Sequence, residues 1–315
     1  MATLPNPLPK LAADPSGRTL GLELPPGKLI DAGGTSHALK AVGEREGAWH
    51  EPLLWHADAP ATPGAWSALE PARRTSGLLP LLVDVGGAQG GLEDWELRPD
   101  EVSYPGDHDA EEVLAEFWEE YAADELGADE DYPGKEAVVE VFGEPNTYDE
   151  TIAPYSPEWP GLAPATTPTA GQDAPDALAA TDPDTHAAEI ADFLSAEGSW
   201  LKDPRLALVP ARRSADIPAA IGWSGPVNYE GDVARLCAVL RSWEDRFGIR
   251  VVALTFDQLV LSVAAPPTTT AEAEAVAAEH FAFCPDNITQ GNHEALRAYA
   301  AQEILDQQVW SFWWD

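Results

Sequence analysis

Three tryptophans fall within five residues in the segment Val309-Trp310-Ser311-Phe312-Trp313-Trp314-Asp315. Each aromatic side chain buries roughly 150–250 Å² when packed, so this segment is expected to lie in a core. Strand alternation places Trp310, Phe312 and Trp314 on one face and Ser311 and Trp313 on the other. The first face is expected to pack on helices. Trp313 is expected under cover of the N-terminal region or in a ligand-facing wall. Twelve tryptophans against one methionine point to large, rigid aromatic cores elsewhere too.

The 315 residues suffice for two domains. Three parts are expected: a small β-rich region over 1–98, an acidic helical segment over 99–201, and an α+β domain over 202–315. Charge separates them. Residues 1–98 hold 12 acids and 8 bases, 99–201 hold 27 acids and one base, and 202–315 hold 15 acids and 9 bases. The middle third therefore carries −26 of the formal net charge of −36. Such a surface repels phosphates, which argues against nucleic acid, and it suits either solvation or a basic protein partner.

Two cysteines, Cys237 and Cys284, cannot build a disulfide framework, and their apolar helical surroundings point to a reducing cytoplasm. Met1-Ala2-Thr3-Leu4-Pro5 lacks the basic-then-apolar pattern of a signal peptide. No apolar run approaches the roughly 20 residues that a membrane helix needs.

In the first part, Leu20–Leu24, Pro52–His56 and Gly77–Asp84 read as strands, and Pro80 directs the last of these to an edge or a bulge. Gly86-Gly87-Ala88-Gln89-Gly90-Gly91 lacks the Lys-Ser/Thr ending of a phosphate cradle and is followed by Glu93 and Asp94, so it reads as a loop. In the middle, Val113, Leu114, Phe117, Trp118 and Tyr121 recur at helical spacing over 109–126, with Asp107 or Asp109 as cap. Glu112, Glu116, Glu119 and Glu120 fall on the opposite face and are the candidate partner-binding residues. Residues 160–183 read as a Pro/Ala/Thr-rich linker, followed by a helix with Ile190, Phe193 and Leu194 inward.

The C-terminal part reads as strand 205–210, an extended Ile217–Trp223, a helix from Asp232 to Phe247 stopped by Gly248, and a hairpin of Ile249–Phe256 with Leu259–Ala264. A helix capped at Thr268–Thr270 then runs to Phe283. A second helix over 293–306, capped by Asn292, precedes the strand Val309–Trp314. This order suits an antiparallel sheet with helices on one face, as in a ferredoxin-like split β-α-β layer.

The pieces Trp223-Ser224-Gly225-Pro226-Val227-Asn228, Arg241–Gly248, Phe283-Cys284-Pro285-Asp286 and Phe312-Trp313-Trp314-Asp315 together resemble a bacterial family catalogued as domain of unknown function 4253, over about residues 204–315. The first ~85 residues resemble segments that accompany this domain in actinobacterial members. The resemblance implies a bacterial cytoplasmic protein and carries no catalytic residue over.

His280, Cys284 and His293 are the nearest approach to a zinc set, with Asp286, Cys237 or Asp315 as a fourth ligand. However, no CxxC or HxxxH pair exists, and neither metal nor cofactor is expected. A Cys284 nucleophile would stand at a helix C-terminus, where the dipole opposes a thiolate. Gly-x-Ser-x-Gly is absent. The leading expectation is a non-enzymatic binding or regulatory protein, such as an immunity-type inhibitor of a basic protein. The alternative is a hydrolase or small-molecule enzyme with a pocket near Trp223, Asn228, His280, Cys284, Asp286, Trp313 and Asp315.

Overall fold

The computed structural model describes residues 6–31, 36–38, 51–69, 71–127, 146–166, 182–293 and 295–315. Most of the expected linker, residues 167–181, lies outside the described residues. The strands are β1 (Gly27–Ile30), β2 (Ser36–Ala38), β3 (Leu54–Pro60), β4 (Leu78–Asp84), β5 (Pro204–Pro210), β6 (Ile249–Leu254), β7 (Gln258–Val263) and β8 (Val309–Trp313). They form one sheet in the order β2-β1-β3-β5-β4-β6-β7-β8. The β4–β6 pair is parallel and every other pair is antiparallel. The chain has the α+β content that its pattern predicts.

Alternation along the strands feeds two cores. Leu79, Leu81 and Val83 of β4 face one, together with Val209 of β5, Leu261 of β7 and Trp310 of β8. Leu78 and Leu82 face the other, with Trp55, Leu208 and Val260. Helices α1 (Ala110–Gly127), α3 (Val233–Phe247) and α4 (Thr270–Phe283) cover the first face. Helix α2 (Pro183–Leu194) and short helices near the N-terminus cover the second. Buried residues of the described helices in 202–315 belong to the first core, while the second face, also apolar, is covered by α2 and the N-terminal helices. The split β-α-β arrangement is not seen: β5 is antiparallel to β4 and β4 is parallel to β6, so β5 and β6 run in opposite directions, and β6-β7-β8 form a meander.

Pro80 sits in an interior strand rather than at an edge. The β4–β6 ladder contains only Leu82↔Ala253 and Val83↔Leu254, so the first half of β4 has no neighbour on that side and its missing N–H costs nothing. The facing edge of β6 is closed by a side chain, since the Val251 N–H donates to Ser214 Oγ at 2.8 Å.

Three local expectations also change. Leu20–Leu24 is not a strand: Arg18–Leu20 is a 3-10 turn between Gly17 and Gly21, both left-handed, and Leu20 and Leu22 are buried. Residues Ile217–Ile221 are helical, with Pro218 in the first turn and left-handed Gly222 as cap. A Cβ at Gly222 would meet the Pro99 nitrogen at 2.2 Å. The second C-terminal helix is shorter than expected, Leu296–Tyr299 followed by a π-turn at Ala300–Ile304, with Ala295 rather than Asn292 before it. In α2 the buried stripe is His186, Ala187, Ala191 and Leu194, and Phe193 is 67% exposed.

The segment 146–166 crosses α1 and α4 as a strap. Thr147 and Glu150 make a capping box, the Trp118 indole N–H donates to the Pro157 carbonyl at 3.0 Å, and Trp159 packs edge-on to Trp118. Its anchor is Glu279, which is fully buried. This carboxylate accepts two bonds from Arg246 at 2.7 and 2.6 Å, one from the Trp243 indole at 2.6 Å and one from the Ala163 N–H at 2.6 Å. Arg246 also donates to the Ala163 carbonyl at 2.8 Å. The bidentate pair ties α3, α4 and the strap together.

Candidate functional site

Helix α1 is capped by Asp109, whose Oδ1 accepts from the N–H groups of Glu111 and Glu112 at 2.9 and 3.1 Å. Val113, Leu114, Phe117 and Trp118 are buried, so the helix is fixed to the body. Glu112, Glu116, Glu119 and Glu120 are all exposed on its outer face. One is engaged already: Glu116 accepts from Arg235 at 2.7 Å, and Arg235 lies over the Phe117 ring.

The candidate pocket residues gather around β8, but they do not line one pocket. Trp223 is buried, donates to the Thr255 carbonyl at 2.9 Å and meets Trp314 edge-on. Asn228 donates to the Asp315 carbonyl at 2.8 Å. Only Asp286 and Trp313 of the set border the cleft found here, whose volume is about 210 Å³. Its other walls include Asn287, His293, Tyr299 and Glu303, with His293 Nε2 and Glu303 Oε1 2.9 Å apart. Trp313 is half-buried in this wall, at the end of the sheet remote from β1 and β2. It is therefore not covered by the N-terminal strands.

Cys284 lies behind the cleft, fully buried, with its S–H directed to the Trp313 carbonyl at 3.0 Å. Burial pushes its thiol far above the ordinary range, so it stays protonated. His280, one turn earlier on α4, is enclosed by the rings of Trp243, Trp310 and Phe312 and has its Nδ1 3.0 Å from the Tyr299 hydroxyl. Cys284 thus has no thiolate, and its thiol meets the Trp313 carbonyl and Asn287 Oδ1 rather than a histidine ring. Among the described residues no three His, Cys, Asp or Glu side chains converge as a metal site.

Asn287 is a cleft residue that sequence patterns do not single out, whereas Tyr299 falls on the inward face expected of the helix over 293–306. Asn287 Nδ2 donates to the Ser311 carbonyl at 2.7 Å and to the Tyr299 hydroxyl at 3.2 Å, and its Oδ1 accepts from the Trp313 N–H at 3.1 Å. Pro285-Asp286-Asn287 reads locally as a turn, and nothing local reveals that its amide braces a distant strand. A second contact was also invisible in sequence: Ser103 Oγ lies 2.6 Å from His108 Nε2. Asp232 Oδ2 is 3.9 Å from that same nitrogen, whereas a relay needs the acid on the other one. Ser103 is exposed and Asp232 is the N-cap of α3, so the trio does not make a hydrolytic centre.

Burial holds the His280 imidazole well below its usual pKa, and His56 is lowered for the same reason. Unfolded histidine titrates near about 6.5. Below that pH the unfolded chain binds protons that the folded chain refuses, so stability falls as pH falls. Unfolding free energy measured from pH 8 to 5 is expected to drop below about 6.5, with a limiting slope of about 1.4 kcal/mol per pH unit for each histidine. His280→Gln is expected to reduce that slope. An unchanged slope would contradict the assignment.

No helix among the described residues is long and apolar enough to cross a membrane. No curated protein and no solved structure matches the chain. The family described as a domain of unknown function (DUF4253) matches residues 205–315, which hold α3, α4, the cleft and all of β6 to β8. Over that segment, about a third of its length, the chain is a DUF4253-like protein.

Proposed function

We propose that the chain is a non-enzymatic binding or regulatory protein that docks a basic protein partner through its acidic surface, in the manner of an immunity-type inhibitor. The observation that carries this reading is the placement of Glu112, Glu116, Glu119 and Glu120. All four are exposed on a helix whose other face is locked into the main core. A rigid, exposed row of like charge steers an oppositely charged partner and fixes its orientation without reorganisation. The alternative, a hydrolase centred on Cys284, Asp286 and Trp313, is disfavoured by a thiol that is buried and held protonated. A reducing, cytoplasmic setting fits two free, buried cysteines.

The test is capture of partners by wild type and by the quadruple variant E112Q/E116Q/E119Q/E120Q at low and high salt. Exposed charges are screened as the Debye length falls from about 10 Å at 0.1 M to about 3 Å at 1 M. A specific basic partner should be lost both on neutralisation and at high salt. Equal retention by both proteins at both salt concentrations would rule the reading out.

A further inference from the structure

Strand β8 ends the sheet, and its outer edge is only partly covered. The Val263 N–H donates to the Gln308 carbonyl at 2.8 Å and the Trp314 N–H to the Asp257 carbonyl at 3.2 Å. Even-numbered residues of β8 therefore turn their backbone groups toward β7, and Val309, Ser311 and Trp313 turn theirs outward. Asn287 and Cys284 take the Ser311 carbonyl, the Trp313 N–H and the Trp313 carbonyl. Among the described residues nothing takes the Ser311 N–H or the outward backbone groups of Val309, and both residues line the cleft.

Two carboxylates, Asp286 and Glu303, line the cleft, and none of its described lining residues is a lysine or arginine. Asp286 Oδ1 accepts from Gln290 at 2.8 Å and its Oδ2 from the Asp315 N–H at 3.3 Å, and His293 is the hydrogen-bond partner of Glu303; each carboxylate oxygen has two lone pairs, so both groups keep acceptor capacity. Half-buried Trp313 adds an aromatic face beside them. An open strand edge recognises a peptide backbone, and carboxylates beside an indole recognise a planar cation.

We infer that the outer edge of β8 binds an extended peptide by strand addition, with an arginine of that peptide placed between Asp286 and Glu303 against Trp313. The site lies on a different element from α1 and stands whether or not that helix docks a partner.

The probe is the peptide acetyl-Thr-Val-Arg-Val-Thr-amide, titrated into the full chain and followed by calorimetry and by backbone amide resonances. Saturable binding that shifts β8 resonances is expected, and the same peptide with glutamate in place of arginine should not bind. Asp286→Asn and Glu303→Gln are each expected to weaken binding about tenfold. Ser311→Pro removes the outward N–H while leaving the ladder to β7, and should abolish binding. Should that variant fail to fold, peptides N-methylated at successive valines carry the same test from the ligand side. At least one of them should lose binding. Absence of binding by the parent peptide, free arginine binding as tightly as the peptide, or full tolerance of N-methylation would overturn the inference.

Discussion

Replacing Glu279 with alanine is expected to lower the unfolding free energy by about 3–5 kcal/mol, the range for breaking a buried ion pair from one side. The side chain is fully buried and Arg246 is 13% exposed, so solvent cannot replace the lost partner. The change would leave the guanidinium facing an empty site and would release the Trp243 indole and the Ala163 N–H as well. Glu279→Gln keeps the shape but loses charge assistance, and should cost less. Joint replacement of Glu279 and Arg246 by methionine should recover much of the loss, because an apolar pair carries no desolvation penalty. Denaturant midpoints of the four proteins, at constant slope, check this. A single-site alanine loss below about 1 kcal/mol would show that the strap does not depend on this anchor.

Trp310→Ala is expected to cost about 3–5 kcal/mol, the range for large aromatic truncations in a core. Trp310 is 1% exposed and meets Trp243, Phe247 and His280 at ring-centroid distances of 5.7, 5.5 and 4.6 Å. Its neighbours belong to two separate helices, α3 and α4, so the cavity cannot be closed by moving one element. Trp313→Ala, on the half-buried opposite face, should cost distinctly less. Equal losses for the two would contradict the alternation of β8. Deleting residues 309–315 removes Trp310, Phe312 and Trp314 together and is expected to leave no cooperative unfolding transition.

Elements with local signals were legible in the sequence. Asp232 and Gly248 bracket α3 because a side-chain cap and a left-handed glycine act on neighbouring residues. Thr269 with Glu272 marks the start of α4 for the same reason. The period-two pattern of residues 309–314 gave both faces of β8. The order of the strands was not legible, since pairing of β4 with β5 joins residues more than a hundred positions apart. Pro80 pointed to an edge because the sequence does not reveal that β6 meets only the far half of β4. Spacing places Phe193 inward, but α2 approaches the sheet through Ala187 and Ala191, and the small side chains form the contact. At Ile217–Ile221 the apolar run outweighed Pro218 and Gly222, which are start and stop signals for a helix.

The candidate site was legible in part. Of the residues that sequence patterns single out, Asp286 and Trp313 border the cleft, whereas Cys284 and His280 are fully buried and do not line it. The role of Asn287 depends on the outward half of β8, which only the assembled sheet defines. The outward face of α1 was readable because its charges alternate with an apolar stripe on one short segment. What the charges contact is a property of a second molecule.

The most direct test of the proposed docking is kinetic. A basic partner captured at low salt would be mixed with wild type and with E112Q/E116Q/E119Q/E120Q in stopped flow over a range of salt concentrations. Steering by exposed charge predicts an association rate that falls steeply with salt in the wild type, a slower and flatter association in the variant, and dissociation rates that differ little. Association rates that are equal in the two proteins and insensitive to salt would contradict it.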